Sequence, residues 1–381
     1  MKSFAEIDRE NNGNYLKLLS AISKLSGLFS EKAVPFINYR AVENIFCRSF
    51  NASNLSRSDT AFDAKYNLIG VGLKTFVCNG NSKIEKVAEF NSLSSTFKDF
   101  SGKELAIKLG EYRNARINLA NRVYGIENSM YHIVARKEKE LMLYETDYNI
   151  IDIANIHSVK ENRAGIQFND GENFYNFNYS KSTLFRKFEI PQNAFRFPVD
   201  IIEDPYSLLL ELFEENKNLK TSTDILVIGE NFVILPLYST RSKEKREVPK
   251  KSGLNQWNAG GRKRNVGEAY IPIPIEIHKK FPNFFPARDT HFNLSIPTGE
   301  SFTAKVCQDN SKALMTYPNK AISEWLLRKV LRLNEGELAT IEKLDELGFD
   351  SVIIIKDSIE NYRIDIMKTD SYSNFQLEEI D

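Results

Sequence analysis

The chain contains 381 residues, 42% of them hydrophobic, and its 51 Lys and Arg residues balance 51 Asp and Glu residues. This composition is typical of a globular protein, and 26 Phe with 16 Tyr residues exclude a chain that is disordered throughout. The length exceeds that of one average domain, so we expect two domains.

Targeting signals and cysteine chemistry are not indicated by the sequence. The first residues lack a basic flank followed by an apolar run, and no uncharged apolar stretch reaches about 18 residues. The cysteines Cys47, Cys78 and Cys307 lie far apart in the chain, which fits neither a disulfide framework nor a thiolate zinc site. We therefore expect a cytoplasmic protein with no membrane span.

The first half of the chain predicts a mixed α/β domain. Apolar spacing predicts helices before residue 35 and from Asn38 to Phe50, with Asn38 as the N-cap. Residues 62–78 predict a strand or a tight hairpin, and residues 83–122 have a helical pattern that breaks near Gly102. Alternating patterns then predict strands at 132–135, 141–144, 165–168 and 174–177.

The second half predicts a smaller, β-rich domain that resembles a partly open barrel. We place the domains at 1–205 and 224–381, with a linker at 206–223. The predicted strands are 224–228, 232–237, 270–275, 291–294, 301–306 and 352–355, and the predicted helices are 321–331 and 341–347.

Zero net charge conceals a strong local asymmetry. Residues 241–264 contain nine basic residues and two acids, whereas residues 335–381 contain thirteen acids and four bases. A discrete basic arm, rather than a basic scaffold, is therefore expected to bind an anionic partner. Glycines, asparagines and Trp257 are interleaved with these charges, and together they offer phosphate contacts, base-edge amides and a stacking face.

Several motifs in this half occur in an order that resembles the B3-like DNA-recognition domain of bacterial restriction endonucleases, across residues 226–367. The motifs are Ser252–Asn258, Gly267–Pro274, Phe284–Pro286, Lys312–Pro318 and Ser323–Arg328. The resemblance implies a pseudobarrel that clamps the major groove of double-stranded DNA with two arms.

The two arms carry residue types suited to reading DNA. Arg matches guanine O6 and N7, Asn and Gln match adenine N6 and N7, and Lys contacts phosphate. The first-arm candidates are Arg241, Lys243, Lys251, Asn255, Trp257, Asn258, Arg262, Lys263, Arg264 and Asn265, and the second-arm candidates are Lys305, Gln308, Asn310 and Lys312.

The first half contains a pattern that resembles the PD-(D/E)XK nuclease core. Asp63 is followed by Lys74 on an apolar strand, but Gly72 stands where that pattern has a second acid. The resemblance implies a second acid elsewhere: Glu43 on the predicted helix is the first choice, Glu89 the second, and Asp59 could also reach the metal. Asp63 and Glu43 would hold Mg²⁺, because hydrolysis of a phosphodiester needs a metal held by carboxylates.

These features together predict a type II-like restriction endonuclease that acts as a homodimer, with Lys74 orienting the attacking water. One alternative is a non-catalytic, sequence-specific DNA-binding protein whose first half serves assembly or regulation, which Gly72 favours. Another is a nuclease of different chemistry with the same reader. The phospholipase-D type needs a His-x-Lys pair, which occurs only at His278–Lys280, inside the recognition half, so we reject it.

Overall fold

The computed structural model describes most of the chain as two compact units. One unit comprises residues 1–117 and 126–223, and the other comprises 118–125 and 224–381. The described residues are 2–11, 13–56, 60–215, 230–240, 246–255 and 268–377. Within these ranges, no helix combines the length and the hydrophobicity that crossing a bilayer requires.

The first unit contains helices and strands in mixed order. The helices that begin in it are α1 (Phe4–Glu10), α2 (Asn14–Lys24), α3 (Tyr39–Phe50), α4 (Gly102–Tyr124) and α5 (Pro205–Glu215). Its strands are β1 (Ser53–Asn54), β2 (Ala64–Tyr66), β3 (Ile69–Val77), β4 (Ser82–Glu89), β5 (Asn128–Lys137), β6 (Glu140–Asp147), β7 (His157–Asn162), β8 (Gly165–Asn169), β9 (Phe174–Asn178), β10 (Thr183–Glu189) and β11 (Phe195–Pro198).

A six-stranded sheet with the order β1-β2-β3-β5-β6-β11 organises this unit. Strands β2 and β3 form a hairpin, one of the two alternatives predicted for residues 62–78, and β3 runs parallel to β5 because α4 makes the crossover between them. Helices α1 to α3 cover one face, where Val42 and Phe46 pack with Val71 and Leu73. The helix predicted from Asn38 is confirmed, since the Asn38 side chain accepts the Arg40 N–H at 2.8 Å.

A second, five-stranded antiparallel sheet has the order β4-β10-β9-β8-β7. Helix α4 packs on it through Leu105 and Leu109, which join a core containing Ile166, Phe177 and Leu184. The helical prediction for residues 83–101 is wrong, because residues 82–89 form β4 and pair with β10.

The second unit is built on a seven-stranded sheet with the order β12-β17-β18-β14-β15-β16-β13, which forms a nearly closed barrel. Its strands are β12 (Phe232–Pro236), β13 (Ile271–Pro272), β14 (His291–Ser295), β15 (Ser301–Cys307), β16 (Ala313–Tyr317), β17 (Phe349–Lys356) and β18 (Asn361–Lys368). Its helices are α6 (Ile275–Lys280), α7 (Ala321–Ser323, continued by a π-helix at Glu324–Val330), α8 (Ile341–Leu347) and α9 (Ser371–Leu377).

Two sequence predictions for this unit need correction. The strand expected at 270–275 is limited to Ile271–Pro272 because α6 begins at Ile275. Strands β16 and β18 were not predicted, although they supply central pairings of the barrel. The strand predicted at 224–228 lies outside the described residues.

Candidate active site and nucleic-acid interface

Asp63 lies directly before β2 and is fixed to the β2–β3 hairpin. Its carboxylate Oδ2 accepts the N–H of Leu73 at 2.7 Å, and its own N–H donates to the Val71 carbonyl at 3.0 Å. Its carbonyl accepts the N–H of Leu55 at 2.9 Å. The hairpin therefore holds the Asp63 carboxylate beside β3, between Gly72 and Lys74.

Lys74 is the cation that faces this carboxylate along β3. Burial raises the pKa of Asp63, while the Lys74 charge, the Leu73 N–H and the Arg40 charge act in the opposite direction. Within the described part of the chain, the Lys74 ammonium group has no hydrogen-bond or ion-pair partner. A partly exposed lysine in this position is available to an anionic substrate.

Glu43 lies on α3, and its side chain is only 6% exposed. Its Oε2 forms an ion pair with Arg40 Nη1 at 3.0 Å, and the same Arg40 nitrogen donates to the Ser56 carbonyl at 3.2 Å. Arg40 also lowers the pKa of Asp63 against the effect of burial. One guanidinium group therefore lies near both carboxylates.

Cys47, one helical turn after Glu43, lies near both acids. Burial raises the pKa of Cys47 to about 11, and the negative charges of Glu43 and Asp63 act in the same direction. Charges shift a pKa strongly only at short range. Both carboxylates therefore lie close to the Cys47 thiol, and hence close to one another. The structure thus brings Asp63, Lys74 and Glu43 to one region of the first unit.

Glu89 is not part of this arrangement. Glu89 lies on β4 in the five-stranded sheet, where its carboxylate pairs with Lys86 at 2.8 Å. Asp59 lies outside the described residues.

Gly72 cannot be replaced by an acid without rearrangement. A Cβ atom at Gly72 would lie 2.7 Å from ring atoms of both Tyr131 and Tyr148. The Tyr148 hydroxyl donates to the Ala61 carbonyl, and its ring centroid lies 4.9 Å from that of Phe62. Two tyrosine rings therefore occupy the space into which the acid of the PD-(D/E)XK pattern would project.

The donor set suits Mg²⁺ in number and type. No group of three His, Cys, Asp or Glu side chains converges on one point within the described ranges. Mg²⁺, however, is commonly held by one or two carboxylates, with water and substrate phosphate completing its octahedron. Asp63 and Glu43 supply two such carboxylates, so these residues fit the metal.

In the second unit, the first arm begins from a buried ionic anchor. Arg246 pairs with Asp350, whose side chain is fully buried, and lies 3.0 Å from Asp345. Burial raises the pKa of Asp350, and the Ser351 hydroxyl and Arg246 act against this rise. Arg246 belongs to the basic run of the sequence, yet it fixes the chain to the barrel.

Asn255 and Gly253 form a second anchor. The Asn255 amide nitrogen donates to the carbonyls of Pro249 and Ala339, and its amide oxygen accepts the Ala339 N–H at 2.7 Å. The Gly253 carbonyl accepts the N–H of Tyr270 at 3.2 Å, so the chain ends flanking residues 256–267 lie side by side. Asn255 is 7% exposed, and reaching a base would require breaking these bonds.

The remaining candidates of the first arm fall mostly on residues that the structure does not describe. Lys251 is described and exposed. The candidates outside the described residues are Arg241, Lys243, Trp257, Asn258, Arg262, Lys263, Arg264 and Asn265.

The second arm is a turn with unusual backbone geometry between β15 and β16. Gln308, Asn310 and Ser311 have φ angles of 69°, 56° and 55°, in the left-handed region that costs energy for non-glycine residues. His278 Nε2 lies 2.8 Å from the Ser311 carbonyl and donates to it. This strained turn exposes Asn310 and, next to it, Lys312.

Charged side chains beside this turn form a chain of ion pairs. Lys305 Nζ lies 2.8 Å from Asp289, and Arg288 lies 3.4 Å from Asp289 and 4.0 Å from Asp309. The hydrogen bond from Lys305 lowers the pKa of Asp289. These exposed pairs are weak, so Lys305 and Arg288 can exchange a carboxylate for a phosphate at little cost.

The seven-stranded sheet makes the second unit a β-rich pseudobarrel. A comparison with protein families identifies the kind of pseudobarrel more closely. Residues 232–357 match the family model described as the NgoFVII C-terminal B3-like DNA-binding domain. The resemblance predicted from the sequence motifs is therefore confirmed for these residues. No curated protein matches the chain, and the PD-(D/E)XK resemblance of the first unit stays a prediction.

Several residues of these sites were missed by the sequence analysis. Arg40 could have been found, because it stands three residues before Glu43 on a predicted helix. Tyr131 and Tyr148 carry no local signal, because their contact with Gly72 joins positions more than 55 residues apart in the chain. Arg288 and Asp289 precede β14 in a segment without a recognisable motif.

Proposed function

We propose that the protein is a sequence-specific, Mg²⁺-dependent endonuclease that cleaves double-stranded DNA, as type II restriction enzymes do. The observation that carries the proposal is the match of residues 232–357 to a restriction-enzyme DNA-binding domain, in a chain whose other unit holds Asp63 and Lys74 on one hairpin. Action in the cytoplasm and pairing into a homodimer, which would cut both strands, belong to the same proposal.

Recognition is assigned to the second unit. The anchors at Arg246 and Asn255 hold the base of the first arm, and the strained turn at Gln308–Ser311 presents the second. Lys305 and Lys312 position the duplex through phosphate contacts, and Gln308 and Asn310 read base edges in the major groove.

Hydrolysis is assigned to the first unit. Asp63 and Glu43 would hold Mg²⁺, which activates water and offsets the charge that develops on the phosphate. To hold the metal, Glu43 would have to exchange its ion pair with Arg40, whose side chain is half exposed. Lys74 contacts a scissile phosphate oxygen and orients the attacking water. The parallel β3-α4-β5 crossover supports this assignment, because it holds the hairpin rigidly.

Cleavage of plasmid DNA with Mg²⁺ and with excess EDTA tests the proposal. We expect double-strand cuts at fixed sites with Mg²⁺ and none with EDTA, and we expect Asp63→Asn to bind the same sites without cutting them. Cleavage that survives EDTA would contradict metal dependence, and full activity of Asp63→Asn would remove Asp63 from the site.

A second candidate function is sequence-specific DNA binding without catalysis. The packing of Tyr131 and Tyr148 against Gly72 favours it, because it leaves β3 without the usual acid. If DNA is bound at specific sites but never cut with Mg²⁺ or Mn²⁺, this second function holds.

A further inference from the structure

A cluster of basic and phenolic side chains lies buried in the first unit and takes no part in the proposed reaction. Arg113 of α4 is 2% exposed, and Arg186 of β10 is 3% exposed. Both guanidinium groups influence the hydroxyl of Tyr175 on β9, which is fully buried. Two cations therefore lie in one water-poor region between α4 and the five-stranded sheet.

The two arginines differ in how their charge is balanced. Arg186 Nη2 pairs with the Asp147 carboxylate at 2.8 Å. Arg113 Nη1 donates to the Asn149 carbonyl at 2.8 Å, and its guanidinium carbon lies 5.4 Å from the Tyr148 ring centroid. No described residue places a carboxylate within ion-pair distance of Arg113. The Arg113 guanidinium group thus has no ion-pair partner among the described residues, although the charge of Asp170 acts on Tyr175, and a buried charge without a partner is costly.

Several buried donor groups of this cluster make no hydrogen bond among the described residues. They are Nε and Nη2 of Arg113, Nε of Arg186 and the hydroxyls of Tyr175 and Tyr131, and the Tyr131 hydroxyl lies beside the Arg113 guanidinium group. Burial raises the pKa of Tyr175, so its hydroxyl keeps its proton. A water molecule would accept hydrogen bonds from these donors but would leave the Arg113 charge unpaired. An anion would accept the hydrogen bonds and also pair with that charge.

We propose that Arg113, Arg186 and Tyr175 bind a small inorganic anion of the size of chloride inside the first unit. Aromatic rings enclose the two guanidinium groups, since Arg113 lies 5.4 Å from the Tyr148 ring centroid and Arg186 lies 5.5 Å from that of Tyr131. A monatomic halide needs less room among these rings than sulfate or a nucleotide phosphate does. The anion joins α4 to β9 and β10 by neutralising Arg113, and this role does not depend on nuclease activity.

Thermal unfolding of the full chain at constant ionic strength tests the site, with sodium chloride replacing sodium gluconate. Between about 5 and about 500 mM chloride, we expect the Tm to rise by roughly 2–4 °C as the anion binds the folded state. Arg113→Met should lose this rise, because the charge that needs an anion is gone. The matched control Arg196→Met, which removes an arginine already paired with Glu140, should keep it.

Diffraction from crystals soaked in sodium bromide makes the test independent of how Arg113→Met folds. We expect an anomalous peak in contact with Arg113 Nη2 and the Tyr175 hydroxyl, and a smaller chloride-dependent rise in Tyr175→Phe. Equal Tm values in chloride and gluconate would overturn the proposal, and so would bromide peaks that all lie elsewhere. An equal rise in Arg113→Met and the wild type would overturn it as well.

Discussion

The two functional regions of the molecule rest on different kinds of support. In the first unit, Asp63 and Lys74 belong to a hairpin, where backbone hydrogen bonds fix both residues. In the second unit, the candidate recognition residues of the first arm belong to a connection whose base is anchored by Arg246 and Asn255. Hydrolysis requires atoms held in fixed positions, and strands supply this, whereas reading a groove requires side chains that project from a rigid base.

The largest expected effect tests the hairpin side of this comparison. Lys74→Ala should reduce the single-turnover rate of plasmid cleavage at least about 10²–10³-fold, because a charge that stabilises the transition state is lost. Binding of the duplex, measured by fluorescence anisotropy, should stay within error of the wild type.

Lys65→Ala is the matched control, since it removes a lysine from the neighbouring strand β2 and should leave cleavage intact. Normal cleavage by Lys74→Ala would show that Lys74 takes no part in catalysis.

The anchored side is tested by Arg246→Met. This change leaves the buried Asp350 carboxylate without its cation, and it should lower the free energy of unfolding by roughly 2–3 kcal/mol, a discounted value because Arg246 is 30% exposed. Urea unfolding measures the loss. Lys187→Met breaks an exposed pair with Glu189 and should cost far less. Equal losses would show that Arg246 is no anchor.

Gly72→Asp tests whether β3 can accommodate the second acid of the PD-(D/E)XK pattern. The new side chain must displace the rings of Tyr131 and Tyr148, so we expect a stability loss of roughly 2 kcal/mol and no gain in cleavage. Gly80→Asp is the control, because a Cβ there meets no atom within 4 Å. Faster cleavage by Gly72→Asp with unchanged stability would contradict the packing argument.

The last comparison separates base reading from duplex positioning in the second arm. Asn310→Ala should cost about 1–3 kcal/mol in binding to the cognate duplex and little on scrambled DNA. Lys312→Ala should weaken both duplexes alike and reduce the salt slope by about one. Binding titrations at several salt concentrations measure both. If the two variants behave identically, Asn310 does not read a base.

The catalytic candidates were accessible to sequence reasoning where the signal was local. The capped helix after Asn38 and the apolar hairpin were predicted because periodicity and turn residues lie within a few positions of one another. The helical prediction failed at Ser82–Glu89 because this segment, with Ile84, Val87 and Ala88 at helical spacing, is a strand that pairs with Thr183–Glu189. Pairing with a distant strand overrides local spacing.

In the second unit, too, local signals were readable from the sequence and contacts with distant residues were not. Composition marked residues 241–264 as basic, but it could not show that Arg246 is committed to Asp345 and Asp350. It likewise could not show that Asn255 is bonded to Ala339. Both partners lie far along the chain, so the anchoring contacts of Arg246 and Asn255 became visible only in the folded barrel.

The hydrogen bond between the Gly253 carbonyl and the Tyr270 N–H at 3.2 Å has an evolutionary consequence. Because it joins the two ends of the intervening segment to each other, changes within that segment need not disturb the strands on either side. If the first arm reads bases, as the proposed recognition role requires, a lineage carrying this domain would acquire a new target sequence by changing one short stretch of its gene.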